Sequence, residues 1–108
     1  MTIAAYEQKA KETAMYPREQ AITYTALGLA GEAGEVAELI KKMIRDDGSW
    51  LSWERKEKLR GELGDVLWYL AQLADAAGLS LEAVAQANVD KLSSRAVRGV
   101  ISGDGSDR

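Results

Sequence analysis

A chain of 108 residues with a net charge of -3 and a pI near 5.0 has room for one domain. It offers no general attraction to a nucleic-acid polymer, which needs a basic surface to displace counterions. The absence of cysteine and histidine excludes disulfides, thiolate chemistry, His-based catalysis, ordinary zinc sites and the Glu-x-x-His pattern of carboxylate di-iron bundles. Ionic chemistry then rests on carboxylates, amines, guanidinium groups, amides and hydroxyls. That donor set suits a hard ion such as Mg²⁺, with Mn²⁺ as a substitute.

The segment from Met1 to Ala10 carries Glu7 and Lys9 and lacks the apolar run of a signal peptide. No stretch approaches the roughly 18 to 20 apolar residues of a membrane span. The expectation is a cytoplasmic protein without membrane association. A first helix is predicted from Thr2, as N-cap, to Ala14, and the single proline, Pro17, separates it from the next. A second helix runs from about Glu19 to Arg45, closed by the turn signal Asp46-Asp47-Gly48-Ser49. Ser52 caps a third helix that continues to Ala77, with Gly78 as its stop. Ser80 caps a fourth, to about Val97. Residues 1–98 are therefore expected to form an all-α domain of four helices, and residues 99–108 a flexible tail.

The second helix carries Ile22, Ala26, Leu29, Ala33, Val36, Ile40 and Met43, spaced alternately by four and three. The third repeats this with Leu59, Leu63, Val66, Leu70, Leu73 and Ala77. Two matching stripes joined by a short polar turn predict a central antiparallel pair. Relative to these stripes Glu32 and Glu62 lie about 60°, and Glu35 and Asp65 about 120°, to the same side. With Leu29 and Leu59 as heptad d positions, the first two acids are g and the second two are c. Facing g flanks bring all four to one side of the pair. The midpoint between 32/35 and 62/65 falls at Gly48-Ser49, inside the turn, so folding there sets them level. Four converging acids repel one another and raise their pKa values unless a cation lies between them.

A solvated acidic face is the alternative for any one Glu-x-x-Glu. Two pairs matched in angle and height, on a flank shared with apolar Leu39 and Tyr69, weigh against it. Glu38 points away from the seam and reads as surface, with a base role as the lesser possibility. Gly28, Gly31 and Gly34 cost a helix about 1 kcal/mol each relative to alanine. Close helix approach or ligand room would compensate; a kink is the alternative.

In the fourth helix Asn88 falls within the stripe Leu81, Val84, Ala85 and Leu92, where it either contacts a ligand or fixes register. Lys91 and Arg95, one turn apart, either hold phosphate oxygens or form a solvated basic edge. Lys41, Lys42 and Arg45 suit the C-terminal dipole of their helix. Trp50 and Trp53 either stack on a base or cover the end of the bundle. Asp46-Asp47-Gly48 lacks the spaced acids of a calcium loop, and there is no Walker-type glycine-rich segment.

Residues 28–39, Gly-Leu-Ala-Gly-Glu-Ala-Gly-Glu-Val-Ala-Glu-Leu, followed by 61–70, Gly-Glu-Leu-Gly-Asp-Val-Leu-Trp-Tyr-Leu, resemble the MazG-like nucleotide pyrophosphohydrolases. Their signature is Glu-x-x-Glu, a variable spacer, then Glu-x-x-Asp. The resemblance continues through residues 88–95, Asn-Val-Asp-Lys-Leu-Ser-Ser-Arg. It implies an α-helical dimer or tetramer that hydrolyses a nucleoside or deoxynucleoside triphosphate to the monophosphate and pyrophosphate. Glu32, Glu35, Glu62 and Asp65 then correspond to the Mg²⁺ ligands, with Asn88 and Lys91 carried over as substrate contacts; Arg95 joins these candidates by its place one turn from Lys91. The substrate is strongly anionic and the site acidic, so metal must bridge the two and support attack of water at the α-phosphorus. Glu35 is the first candidate for the base that takes the water's proton, and Glu38 the second. A specialised dUTP, dCTP or phosphoribosyl-ATP hydrolase, or a non-catalytic helical oligomer that binds nucleotides or protein, are the alternatives.

Overall fold

The computed structural model describes residues 1–101 and 103–105, and every regular element in them is helical. Helix α1 spans Ile3–Lys11; a short 3-10 turn, Arg18–Gln20, leads into α2, Ala21–Asp46; α3 spans Trp53–Ala76 and α4 Leu81–Arg98. Three starts are set by capping hydroxyls. Thr2, Ser52 and Ser80 accept from the backbone N–H of Ala5, Arg55 and Ala83 at 3.0, 3.1 and 2.9 Å, satisfying donors that a first helical turn leaves open. Helix α1 ends at Lys11, earlier than the expected Ala14. The Thr13 hydroxyl bonds back to the Ala10 carbonyl at 2.9 Å, local competition of the kind that unwinds a helix end. The tail expected over 99–108 falls partly outside the described residues. Gly99, at φ 74, closes α4 in the left-handed conformation.

The turn between α2 and α3 uses Gly48 and Ser49 at positive φ. Its acids are engaged by arginines: Arg45 holds Asp46 at 2.7 Å and Arg55 holds Asp47 at 2.7 Å. Those two arginines account for the acidic turn without calcium. Trp50 and Trp53 stand exposed beside it and do not cover the bundle end.

Helix α2 packs most extensively on α3; α1 and α4 pack on α3 and on each other. Glu7 of α1 reaches the start of α4, where its carboxylate accepts from the Glu82 N–H at 3.2 Å. Contacts descend α2 as they ascend α3: Tyr69 lies on Gly28, and one turn onward along α2 Glu32 meets Asp65 and Glu62. The faces in contact differ from the apolar stripes. Thr25 and Leu39 are the buried residues of α2, and with Gly28 and Glu32 they form a line rotated about a quarter turn from the stripe. Leu39, on the flank of the acids rather than on the stripe, is 8% exposed, whereas Ile22 and Leu63 of the stripes are 54% and 51% exposed. The glycine and small residues of the acid flank admit close approach there. The bulkier stripes are left half open.

Candidate metal centre

Glu32, Glu62 and Asp65 each offer a carboxylate oxygen, and these atoms lie within 4.8 Å of one another. Two helices supply them. Glu32 is one turn from Gly28, where the absent side chain lets the ring of Tyr69 lie against the α2 backbone. A Cβ there would overlap the ring, so glycine at 28 sets the close approach that brings the acids together. Of the three glycines that interrupt α2, only this one meets a neighbour within 4 Å.

Burial, and then the charges of Asp65, Glu62 and Glu35 in that order, push the Glu32 carboxyl above its ordinary pKa. The neighbouring Tyr69 phenol is raised by burial first, then by Tyr24, Glu32 and Asp65. On the far side of α3, the Tyr6 phenol of α1 is raised by burial and then by Asp65. The Asp65 carboxylate thus acts on Glu32 and on both neighbouring phenols. Three oxygens at such spacing, all hard donors, fit a small divalent cation such as Mg²⁺ or Mn²⁺.

Glu35 lies outside the trio. It shares with Glu62 and Asp65 the wall of a cavity of about 360 Å³, which Lys42, Arg55 and Lys58 also line. Glu38 stands at the same cavity and binds Lys41 at 2.9 Å; that hydrogen bond and charge hold its carboxyl below the usual range. The basic residues that line this cavity with the acids were not assigned to a site by sequence reasoning, although a signal exists. Lys58 precedes Asp65 by seven residues and Lys42 follows Glu35 by seven, two helical turns that return each to the face of its acid.

The α4 candidates are placed elsewhere. Asn88 and Lys91 line a second cavity with Leu79, Ala83, Val84 and Ala87. Asn88 also borders an apolar groove with Tyr6, Leu67 and Leu70. Arg95 is 4% exposed and lines neither of these cavities. Among the described residues α4 does not pack on α2, and the chain does not bring these residues to the cavity of the acids.

Residues 20–99 match the MazG nucleotide pyrophosphohydrolase domain, and the chain belongs to that family. A relative, the Gene 37 protein of Mycobacterium phage L5, is 42% identical over 114 aligned positions that span the whole of both chains. No solved structure matches the chain. No helix among the described residues is long and apolar enough to cross a membrane.

Proposed function

We propose that this protein hydrolyses a nucleoside or deoxynucleoside triphosphate to the monophosphate and pyrophosphate, with Mg²⁺ held by Glu32, Glu62 and Asp65 and completed by Glu35. The observation that carries this reading is the meeting of three carboxylate oxygens within 4.8 Å inside a MazG nucleotide pyrophosphohydrolase domain. When bound, the ion neutralises charge on the phosphates and lowers the pKa of water. The chain's own residues do the rest. Lys42 and Lys58 line the cavity with the acids and bind the outer phosphates, while Arg55, tied to Asp47, holds the turn in place. Glu35 takes the proton of the attacking water. Glu38 is the weaker candidate, because its bond to Lys41 lowers its basicity.

The central α2–α3 pair is read as antiparallel, in the register given by Gly28 against Tyr69. Residues 1–98 constitute the domain and 99–108 its tail. The working form is a homo-oligomer in the cytoplasm. The chain exposes 7659 Å², where a compact monomer of its mass exposes about 5,900 Å². Its radius of gyration is 16.7 Å, against about 13 Å for a compact domain. A second copy covers this excess, and Asn88 and Lys91 reach the acids of a partner.

The test is release of pyrophosphate from a panel of ribo- and deoxyribonucleoside triphosphates, including dUTP, dCTP and phosphoribosyl-ATP, with Mg²⁺ and with chelator. Metal-dependent pyrophosphate together with the monophosphate is the expected result. Orthophosphate release, or no turnover on any substrate, would overturn the proposal.

A further inference from the structure

A third cavity, of about 470 Å³, lies where α1, the 3-10 turn and the end of α3 meet, and its wall includes Lys11, Tyr16, Arg18, Gln72 and Asp75. Its volume is that of a small-molecule site. Gln72 is the decisive residue. It is 1% exposed, and its Nε2 has no hydrogen-bond partner, whereas its Oε1 accepts from the Tyr16 hydroxyl at 3.3 Å. Leaving a buried amide donor unmade costs about 1 to 3 kcal/mol. An apolar side chain of similar volume would avoid that cost, so the group calls for an acceptor that arrives from elsewhere.

The position of Gln72 says what such an acceptor belongs to. It follows Asp65 by seven residues, which places it on the same face of α3, about 10 Å further along the helix. Lys58, seven residues before Asp65, lies as far in the other direction. One face of α3 thus presents in order a cation, a metal-site carboxylate and a buried amide. A nucleotide presents phosphates, the α-phosphorus and, across the sugar, a base. Along α3, Tyr69 falls between Asp65 and Gln72; Tyr24 lies 6.5 Å from its ring and stacks on Tyr16 at 5.1 Å and 25°. Aromatic faces at this point suit a planar base.

Resting on the function proposed above, we infer that Gln72 reads the nucleobase, and that its Nε2 favours bases with a keto oxygen at pyrimidine C4 or purine C6, uracil, thymine or guanine, over cytosine and adenine, which carry an amino group at that position. Tyr16 sets the orientation of the amide. Its hydroxyl donates to Oε1 at 3.3 Å, which leaves Nε2 as the group without a partner. Lys11 is held by Asp75 at 3.1 Å, and Arg18 adds a further donor to a wall that favours acceptors.

Binding in the presence of chelator tests this separately from turnover. Uridine, guanosine, cytidine and adenosine are titrated into the full-length parent protein, Gln72→Leu and Tyr16→Phe, and followed by NMR shift changes. The parent should bind the keto pair at least about tenfold more tightly than the amino pair, the scale of one buried hydrogen bond. Gln72→Leu should reduce the difference to within about twofold while helix content stays at the parent's level. Tyr16→Phe, which frees the amide to turn, should narrow it, and this variant carries the test if Gln72→Leu does not fold. No base preference in the parent, a preference for amino bases, or a preference that survives in the folded variants would mean that the amide holds an ordered water only, and would overturn the inference. A parent that prefers keto bases yet releases no pyrophosphate overturns the proposed activity alone. An active parent without base preference overturns the base reading alone.

Discussion

At the scale of single residues, the acids that meet across α2 and α3 repel one another, and a cation held between them would relieve that repulsion. Replacing Asp65 by asparagine, or Glu35 by glutamine, removes a ligating charge. Calorimetric titration with Mn²⁺ should show affinity falling by more than about tenfold in both, at least the loss typical of an outer-shell partner. Glu38→Gln should keep the parent's affinity, because Glu38 is already engaged by Lys41. Unchanged affinity in the Asp65 and Glu35 variants would remove the metal assignment. Turnover in the same two variants should drop by orders of magnitude with the oligomer intact.

The raised Glu32 carboxyl adds a pH dependence whose sign follows from linkage. The folded state holds this proton to higher pH than the unfolded chain does, so across the interval between the two values it binds more protons. Stability therefore falls as pH rises through the carboxylate range. In chelator, melting temperatures measured from about pH 4 to pH 7 should show that fall, and Glu32→Gln should remove part of it. Added Mg²⁺ should raise the melting temperature of the parent at neutral pH by mass action, and raise it less in Glu32→Gln.

At the scale of elements, α2 depends on how its glycines are used. Alanine at an exposed helical glycine gains up to about 1 kcal/mol, and a Cβ at Gly31 meets nothing within 4 Å. At Gly28 the same Cβ meets the ring of Tyr69, and overpacking of this kind costs about 1 to 3 kcal/mol. The second effect is the larger, so Gly28→Ala should lower the unfolding midpoint while Gly31→Ala leaves it unchanged or raises it. Urea melts of the two variants beside the parent would show the contrast. Equal effects would mean that the α2–α3 approach is set elsewhere.

The helices and their caps were legible because they are local events. Thr2, Ser52 and Ser80 cap the helices that their sequence context predicts, and Gly78 takes positive φ where a stop was expected. The rotation of α2 against α3 was not legible. Periodicity identifies an apolar stripe but not the line on which two helices touch, and here the smaller residues beside the acids made the closer approach. The same gap hid Lys42, Lys58 and Gln72. Each lies a heptad step from an acid, but a lysine or glutamine on a helix reads as a dipole partner or a solvated residue until the opposing wall is known.

At the scale of the molecule, the open stripes, the large exposed surface and the extended shape argue together. Ile22, Leu27, Leu63, Leu67, Val89 and Leu92 are exposed, apolar surface that a second copy would cover. Sedimentation at micromolar concentration should give at least a dimer, and Leu63→Lys should shift it towards monomer. A parent that sediments as a monomer would instead require these stripes to face solvent. If the partner's α4 completes the site, Lys91→Ala should weaken triphosphate binding without loss of helix content.

By itself, the sequence determined the all-helical class, the order of the elements, the family and the spacing of the acids, since all of these are set by residues a few positions apart or by a motif read in line. Only the tertiary structure decided which acids meet, that Glu35 stands aside from the trio, that Asn88 and Lys91 line another cavity, and that a buried amide waits two turns beyond Asp65. Those outcomes depend on the angle and depth at which one helix settles on another. That geometry comes from the sum of packing across both surfaces, and the periodicity of either strand of sequence does not contain it.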